Sequence, residues 1–460
     1  MPHSFSIIIS GLLTFKSIFQ YLRLANGTIL HNLMLTGVEG PRIYVHLFNF
    51  TNAEEYVSGK DDKIKLKEVG PFVYQEHRSN RDLVIDSETN LMSYTPHIWT
   101  EFIPEESLAD PKDVYLTMPS IPMLQGTDMM SKYPFFLRHV FNALAAGLHS
   151  KAIVNITAHD YLWGYPEPLL KLANTAVPGL FYYNSSGILE RLYDVGAKYS
   201  LKISTKDIEK FSVKKVKKFR DKEKLNLEDI IDNIQEFSNA YEGAAFPPNM
   251  TPDMPIYIYR HSVCKIFKLQ LTGSKRTEYG SDVVTYSIAN ETFNDHELCN
   301  SKGWCPDGLF NLSPCYFNFP FALSQGHFMG ADPRLLDQFE GIKPDKKIHY
   351  IEMAIDPVTV DDDNDTLLKS FFLFQKHPKL PWQAVTALQG MYIYGPYALL
   401  ATIIICLLLG LGFITYSAKM WYLIWVTKRT NVYESTILKC ASLPSFHSSR
   451  SKALIVQSLL

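Results

Sequence analysis

The chain has 460 residues, with 45 Lys and Arg against 47 Asp and Glu and a formal net charge of −2. That balance excludes the basic field of a nucleic-acid binder, and 20% charged with 46% hydrophobic residues excludes a disordered chain. A mean hydropathy of −0.06 excludes a multi-span transporter and leaves room for one or two membrane segments.

At the N-terminus, an apolar stretch from Ile7 to Phe15 is interrupted by Lys16, Gln20 and Arg23 before a full span is reached. Residues 1–26 therefore fit a degenerate first membrane segment, a signal sequence without its early positive charge, or an incomplete chain start, and the three readings stay open. Residues 27–393 read as one long ectodomain without a linker, a repeat or a low-complexity tract. In it, Arg42–Phe50 alternates so that Ile43, Val45 and Leu47 share a face, which predicts a strand. Phe72–Glu76 reads the same way. Pro134–Ser150 repeats Phe136, Val140, Leu144 and Leu148 at four-residue steps, which predicts a helix. Another helix is expected to open at Pro168, because proline suits the first helical position. Leu225–Phe237 places Leu227, Ile230, Ile231 and Ile234 on one helical face, and Ile256–Arg260, Ile266–Leu271 and Val283–Ile288 read as further strands. The expected fold class is α+β with a dominant antiparallel sheet.

Two charged runs stand out. Lys206–Lys224 carries nine basic residues, which predicts either a docking patch for anions or, preferably, a solvated helix face or loop. Asp361–Asp365 lacks the glycine and distal glutamate of a calcium loop and is expected to be a solvated turn.

The stretch from Tyr397 to Ala418 is 22 residues without a charge, and as a helix it would be about 33 Å long, enough for the hydrocarbon core. Tyr394 and Tyr397 flank one end, and Trp421, Tyr422 and Trp425 the other, so the span with its interfacial flanks covers 394–426. Lys419, Lys428, Arg429, Lys439, Arg450 and Lys452 make the 427–460 tail cytoplasmic by the positive-inside rule. All eight N-glycosylation sequons, at Asn26, Asn49, Asn155, Asn184, Asn249, Asn290, Asn311 and Asn364, precede this span. So do Cys264, Cys299, Cys305 and Cys315, an even number suited to two disulfides and without metal-ligand spacing. Cys406 lies in the span, and Cys440 in the tail is a candidate for palmitoylation. No nucleophile elbow, HExxH, phosphate loop or paired CxxC occurs, so binding is expected and not catalysis, with no metal and no cofactor.

Several motifs occur in order. Phe48-Asn49-Phe50-Thr51-Asn52 is followed by Glu68-Val69-Gly70-Pro71-Phe72-Val73-Tyr74, then by Leu162-Trp163-Gly164-Tyr165-Pro166-Glu167-Pro168. Pro178-Gly179-Leu180-Phe181, Gly243 with Phe246-Pro247-Pro248, the cysteine cluster and the C-terminal span complete the series. The set resembles the class B scavenger receptor family over about Tyr44 to Arg429.

The resemblance implies a large antiparallel β-barrel ectodomain with an apical helical bundle and an internal lipid tunnel. A tunnel suits acyl chains and sterols because each CH₂ exposed to water costs ~0.8 kcal/mol. Pro134–Ser150 would be an apical helix, with Phe135, Phe136, Val140 and Phe141 as an apolar entrance and Arg138, His149 and Lys151 attracting anions. The alternative is that these aromatics are bundle core. The implied partners are fatty acids, sterols, phospholipids or lipoprotein particles, with a homo-oligomer as a further expectation and no nucleic acid. The implied bridges are Cys264–Cys315 and Cys299–Cys305, the first closing a loop worth about 4 kcal/mol. The family's third bridge is missing at both ends, where Gln235-Glu236-Phe237-Ser238 and Glu297 stand. Gly147 and His149 fall near the family's basic positions without matching them. The expected role is a plasma-membrane lipid receptor, with a lysosomal or endosomal member as the alternative. For that alternative, Leu459-Leu460 has Ile455 where a dileucine signal wants an acid.

Overall fold

The computed structural model describes residues 26–441, except 28, 37, 177–184, 194–196, 207–209, 221–239, 244–245, 248–253, 261–264, 278–279, 281, 295–303, 314–320, 350, 356–385 and 387–388. The chain divides into two compact units, one spanning Ser10–Gln389 and one that takes in Gly390–Leu460.

In chain order the first unit holds α1 (Ile29–Thr36), β1 (Val38–Phe50), α2 (Ala53–Val57), β2 (Ile64–Asp86), β3 (Leu91–Phe102), β4 (Tyr115–Pro119), α3 (Ile121–Ser131) and α4 (Phe135–Gly147). Next come β5 (Ile153–Thr157), α5 (Ala158–Trp163), β6 (Tyr165–Pro166), α6 (Pro168–Ala176), β7 (Ser185–Ser186), α7 (Ile188–Leu192), β8 (Ala197–Ser204) and β9 (Val213–Arg220). The remainder is β10 (Ala240–Tyr241), β11 (Ile256–Arg260), β12 (Lys265–Arg276), β13 (Asp282–Ile288), β14 (Phe310–Asn311), β15 (Ala322–Leu323), α8 (Pro333–Leu336), β16 (Phe339–Glu340) and β17 (Met353–Ile355).

The long strands form two sheets. One runs β1-β2-β3-β8-β9 with all neighbours antiparallel, and β16 joins β2 in parallel. The other runs β10-β11-β12-β13-β17. Met92, Tyr94, Leu201 and Ile203 of the first sheet share a buried core with Ile256, Ile258, Leu269 and Tyr286 of the second. A second core packs Leu47, Phe72 and Tyr74 against Leu116, Met118, Tyr161 and Leu162. The expected closed barrel differs from this arrangement. Among the described residues the two sheets are not joined by a ladder: Ser212, just before β9, makes only an isolated bridge to Tyr241 of β10.

The strand expected at Arg42–Phe50 is β1, with Leu47 buried and Tyr44 exposed on the opposite face. Pro168 opens α6 as expected. The basic run is loop at Lys206 and Lys210–Phe211 and a strand, not a helix, over Val213–Arg220. It forms β9, because Val213 and Val216 both enter the core while a register shift opposite Lys202 and Ile203 absorbs the extra residue between them. The predicted helix at Leu225–Phe237, the Asp361–Asp365 turn, the Pro178–Phe181 motif and residues 1–25 lie outside the described residues.

The recognisable motifs do architectural work. Asn52 is 5% exposed, donates to Asp61 Oδ2 at 2.7 Å and the Lys63 carbonyl at 2.9 Å, and accepts from Lys65 N at 2.8 Å, which closes the β1–β2 connection. Gly70 has φ +152°, and a Cβ there would stand 2.7 Å from the Val45 carbonyl, so only glycine fits against the bulge in β1. Glu167 is 4% exposed, and its Oε2 accepts from Leu170 N at 3.0 Å to cap α6.

The second unit contains α9 (Gly395–Ala441), a 47-residue helix. Its Tyr397–Val432 portion is apolar and long enough to cross a membrane. At 1.5 Å per residue the whole helix extends about 70 Å, so it continues well past the hydrocarbon length expected of the 394–426 span.

Candidate functional site

The predicted helix of the entrance region is α4, preceded by Pro134 and packed on α3. The two helices approach closely because α3 carries glycine at the contact: a Cβ on Gly126 would lie 2.8 Å from Phe141 Cζ. Phe141 is therefore the half-buried contact between the helices, and Ala145 at 2% exposure completes the inward side. Most of the stripe that the four-residue spacing marked lies away from this contact, and only its last member, Leu148, is half-buried. Phe136 is 73% exposed, Phe135 68%, and Val140, Leu144 and Leu137 are also exposed. Met129 of α3 and Tyr133 of the connection between the helices are exposed as well, as is Leu124 on the side of α3 away from Gly126. Phe135, Phe136 and Val140 are thus not core residues, and the bundle-core alternative holds only for Phe141.

Arg138, His149 and Lys151 are all exposed, but the structure does not gather them. Arg138 sits on the first turn of α4, whereas His149 and Lys151 follow its last turn, about 16 Å further along the axis. His149 lies at φ +59° in the turn that leaves α4. That turn is tied down by Ser150, whose hydroxyl donates to Glu167 Oε1 at 2.5 Å. The acid of the Leu162–Pro168 motif therefore fixes both the start of α6 and the exit from α4.

Among the sequons, Asn26, Asn155 and Asn290 are exposed. Asn49 is half-buried and accepts from Thr117 N at 2.7 Å, and Asn311 is 7% exposed and accepts from Ser313 N at 2.9 Å. Asn184, Asn249 and Asn364 lie outside the described residues, as do Cys264, Cys299 and Cys315. Cys305 is disulfide-bonded, and Cys406 is a free thiol exposed on α9. Cys440 falls within α9.

Sequence reasoning missed a buried polar network between the two sheets. Arg78 Nη2 donates to Glu242 Oε2 at 2.6 Å, and the Tyr94 hydroxyl donates to the same oxygen at 2.8 Å. Nearby, the Tyr193 hydroxyl donates to Glu76 Oε2 at 3.0 Å. Burial pushes the Glu242 carboxyl up, but the Arg78 guanidinium and the two hydrogen bonds outweigh it and leave the group below the usual carboxylate range. Glu76 goes the other way: burial raises it, and Arg260 and the Tyr193 bond only partly offset that. The available signal was the alternation in β2, where Glu76, Arg78 and Asn80 continue the face begun by Phe72 and Tyr74.

Similarity to known proteins follows the same picture. The CD36 family model matches residues 4–360. The chain is 27% identical over 423 residues to scavenger receptor class B member 1 of Bos taurus, covering 83% of this chain and 81% of that protein. It is 28% identical over 324 residues to the Sus scrofa protein of the same name, covering 68% of this chain and 61% of that one. Lysosome membrane protein 2 of Mus musculus is 26% identical over 358 residues, covering 75% of this chain and 71% of that protein. A match across more than three quarters of the chain, on a fold whose glycine, asparagine and glutamate motifs hold its turns and caps, places this protein in the CD36 family.

Proposed function

We propose that this protein is a cell-surface scavenger receptor that binds lipids, lipoproteins or other anionic ligands on the α3–α4 surface and takes lipid up through its ectodomain. The observation that carries the reading is the exposure of Phe135, Phe136 and Val140 on α4, with Leu137 and Tyr133 also exposed. A contiguous apolar patch on a secreted or luminal surface marks a contact for lipid or a partner, since each large side chain gains ~1.5–3 kcal/mol when water is removed from it. Arg138 and Lys151 supply separate cationic contacts for carboxylates or phosphates, and His149 a further ring N–H donor. The role is binding and transfer, not catalysis. The similarity to lysosome membrane protein 2 supports a second reading, in which the same surface works in a lysosomal or endosomal membrane.

The test uses cells that express the full chain. Phe136→Asp with Val140→Asp is expected to lower binding of phosphatidylserine-containing vesicles by at least about tenfold, because two apolar anchors are lost. Surface biotinylation should show equal amounts of both forms. Vesicle binding equal to that of the unaltered chain would overturn the assignment of this surface, and protein confined to lysosomes would favour the second reading.

A further inference from the structure

Four titratable side chains meet at one place on the first unit, away from the α3–α4 surface. His46 Nδ1 lies 2.8 Å from Glu68 Oε1, and His327 Nε2 lies 3.3 Å from Glu68 Oε2. The His327 and His349 rings stack at 4.0 Å between centroids with 17° between planes. His46 comes from the bulge in β1 and Glu68 from β2, while His327 and His349 bracket the strap that carries α8 and β16. Phe48 of β1 sets its edge against His327 at 5.1 Å. Among the described residues no such group is arranged to hold a metal ion.

Hydrogen bonds to the backbone fix which ring nitrogens carry protons. Lys343 N donates to His327 Nδ1 at 3.1 Å, and Asp345 N donates to His349 Nδ1 at 2.9 Å. Both Nδ1 atoms must therefore be bare, and His327 keeps its proton on Nε2 facing Glu68. A second proton on either ring has no place to go except the nitrogen that is accepting from the backbone. Protonation thus breaks the bond that holds the strap and sets a cation against the stacked neighbour ring.

The strap is also under backbone strain at this point. His327 and Phe328 have φ +53° and +54°, a left-handed pair without glycine, of the kind that persists only when its surroundings hold it. Its further hold on the sheet is short: β16 pairs with Ile64 and Lys65 alone, and Ile64 N reaches the Gln338 carbonyl at 3.3 Å.

We propose that His46, Glu68, His327 and His349 form an acid-sensitive clasp that holds the 326–349 strap on β1 and β2 at neutral pH and releases it at endosomal pH. The charged and titratable groups that act on His327 are His349 from the strap, Glu68 from β2 and His46 from β1. Burial first, then His349 and His46, hold the His327 imidazole below its ordinary 6.5 in spite of Glu68. A base whose folded value is lowered stabilises the docked state above its unfolded value, and that contribution is lost as pH falls from there through the folded value. Loss of the clasp therefore begins on the acid side of neutrality, and it uncovers the start of β2.

Hydrogen exchange with mass spectrometry on the detergent-solubilised full chain tests this at about pH 7.4 and about pH 5.5, with labelling times scaled for intrinsic exchange. Peptides covering 338–349 are expected to lose protection by about threefold or more at the lower pH relative to a peptide from β12. The double variant His327→Asn and His349→Asn places an amide oxygen where each Nδ1 stood, and asparagine tolerates the left-handed backbone at 327. It should dock its strap equally at both pH values. Equal strap protection in the unaltered chain at the two pH values overturns the proposal, as does a loss shared equally by β12. A pH response retained by the double variant also overturns it. If that variant fails to fold, the comparison within the unaltered chain decides alone.

Discussion

Replacing Glu242 by Gln removes the only charge that faces Arg78 at hydrogen-bond distance among the described residues. The side chains are 17% and 8% exposed for Arg78 and Glu242, and the pair is 2.6 Å apart. At an effective dielectric of about 20, two unit charges at that distance attract by roughly 6 kcal/mol. Taking both ions out of water costs several kcal/mol each, so the intact pair is close to neutral for stability. The single substitution is a different case, because the guanidinium stays buried without a counter-ion. A loss of about 3–5 kcal/mol is expected for Glu242→Gln, read as a fall in Tm of roughly 5–10 °C by thermal unfolding of the solubilised protein. Arg78→Met combined with Glu242→Leu removes both charges and should recover most of that loss. Tyr94→Phe should cost only about 1 kcal/mol, since Arg78 still satisfies the carboxylate. A Glu242→Gln protein as stable as the unaltered chain, or an Arg78→Met, Glu242→Leu protein less stable than Glu242→Gln, would refute the reasoning. The sign with pH is also set. Glu242 has a lowered folded value, so its contribution is present above the ordinary carboxylate value and is lost as pH falls through the folded one.

Two further outcomes follow from local geometry. Gly70→Ala sets a Cβ against the Val45 carbonyl at a positive φ, so the protein should be retained as misfolded material, and normal surface expression would contradict the close approach. Glycopeptide mapping should find glycans at the exposed Asn155 and Asn290 and none at Asn311, whose amide is buried and already accepts from Ser313 N; an occupied Asn311 would show that the site is glycosylated before this loop closes.

Periodicity located the elements but not always their faces. Alternation in Arg42–Phe50 gave a strand with Leu47 buried and Tyr44 exposed, because in a strand the buried side is set by a two-residue repeat that local sequence carries, and the run Ile256–Arg260 gave a strand without naming its inward side. The α4 helix was legible from its four-residue steps, but which side it buries was left open between an apolar entrance and bundle core, and Phe136, Val140 and Leu144 are exposed. A helix with apolar residues on more than one side leaves the choice of buried side to its partner, and here Gly126 of α3 admits Phe141 and so turns Phe136 and Val140 outward. The Lys206–Lys224 run failed for a related reason: Val213 and Val216 share a face only when the pairing with β8 slips by one residue, and that register is a property of the pair.

The sequence by itself determined the apolar helix at the C-terminal end, the partition of sequons and cysteines before it, and the family motifs, since charge, length and short motifs are local quantities. Only the tertiary structure decided what those motifs do. Asn52, Gly70 and Glu167 hold a connection, a bulge and a helix cap, and Glu68 becomes the meeting point of His46 and His327. Residues 68 and 327 are far apart along the chain, as are 78 and 242, and no local pattern says that they will touch. The Arg78–Glu242 pair exists because folding brings those positions together in a low-dielectric interior, where a contact that would matter little in water governs stability, whereas Glu68 and His46 meet at the surface.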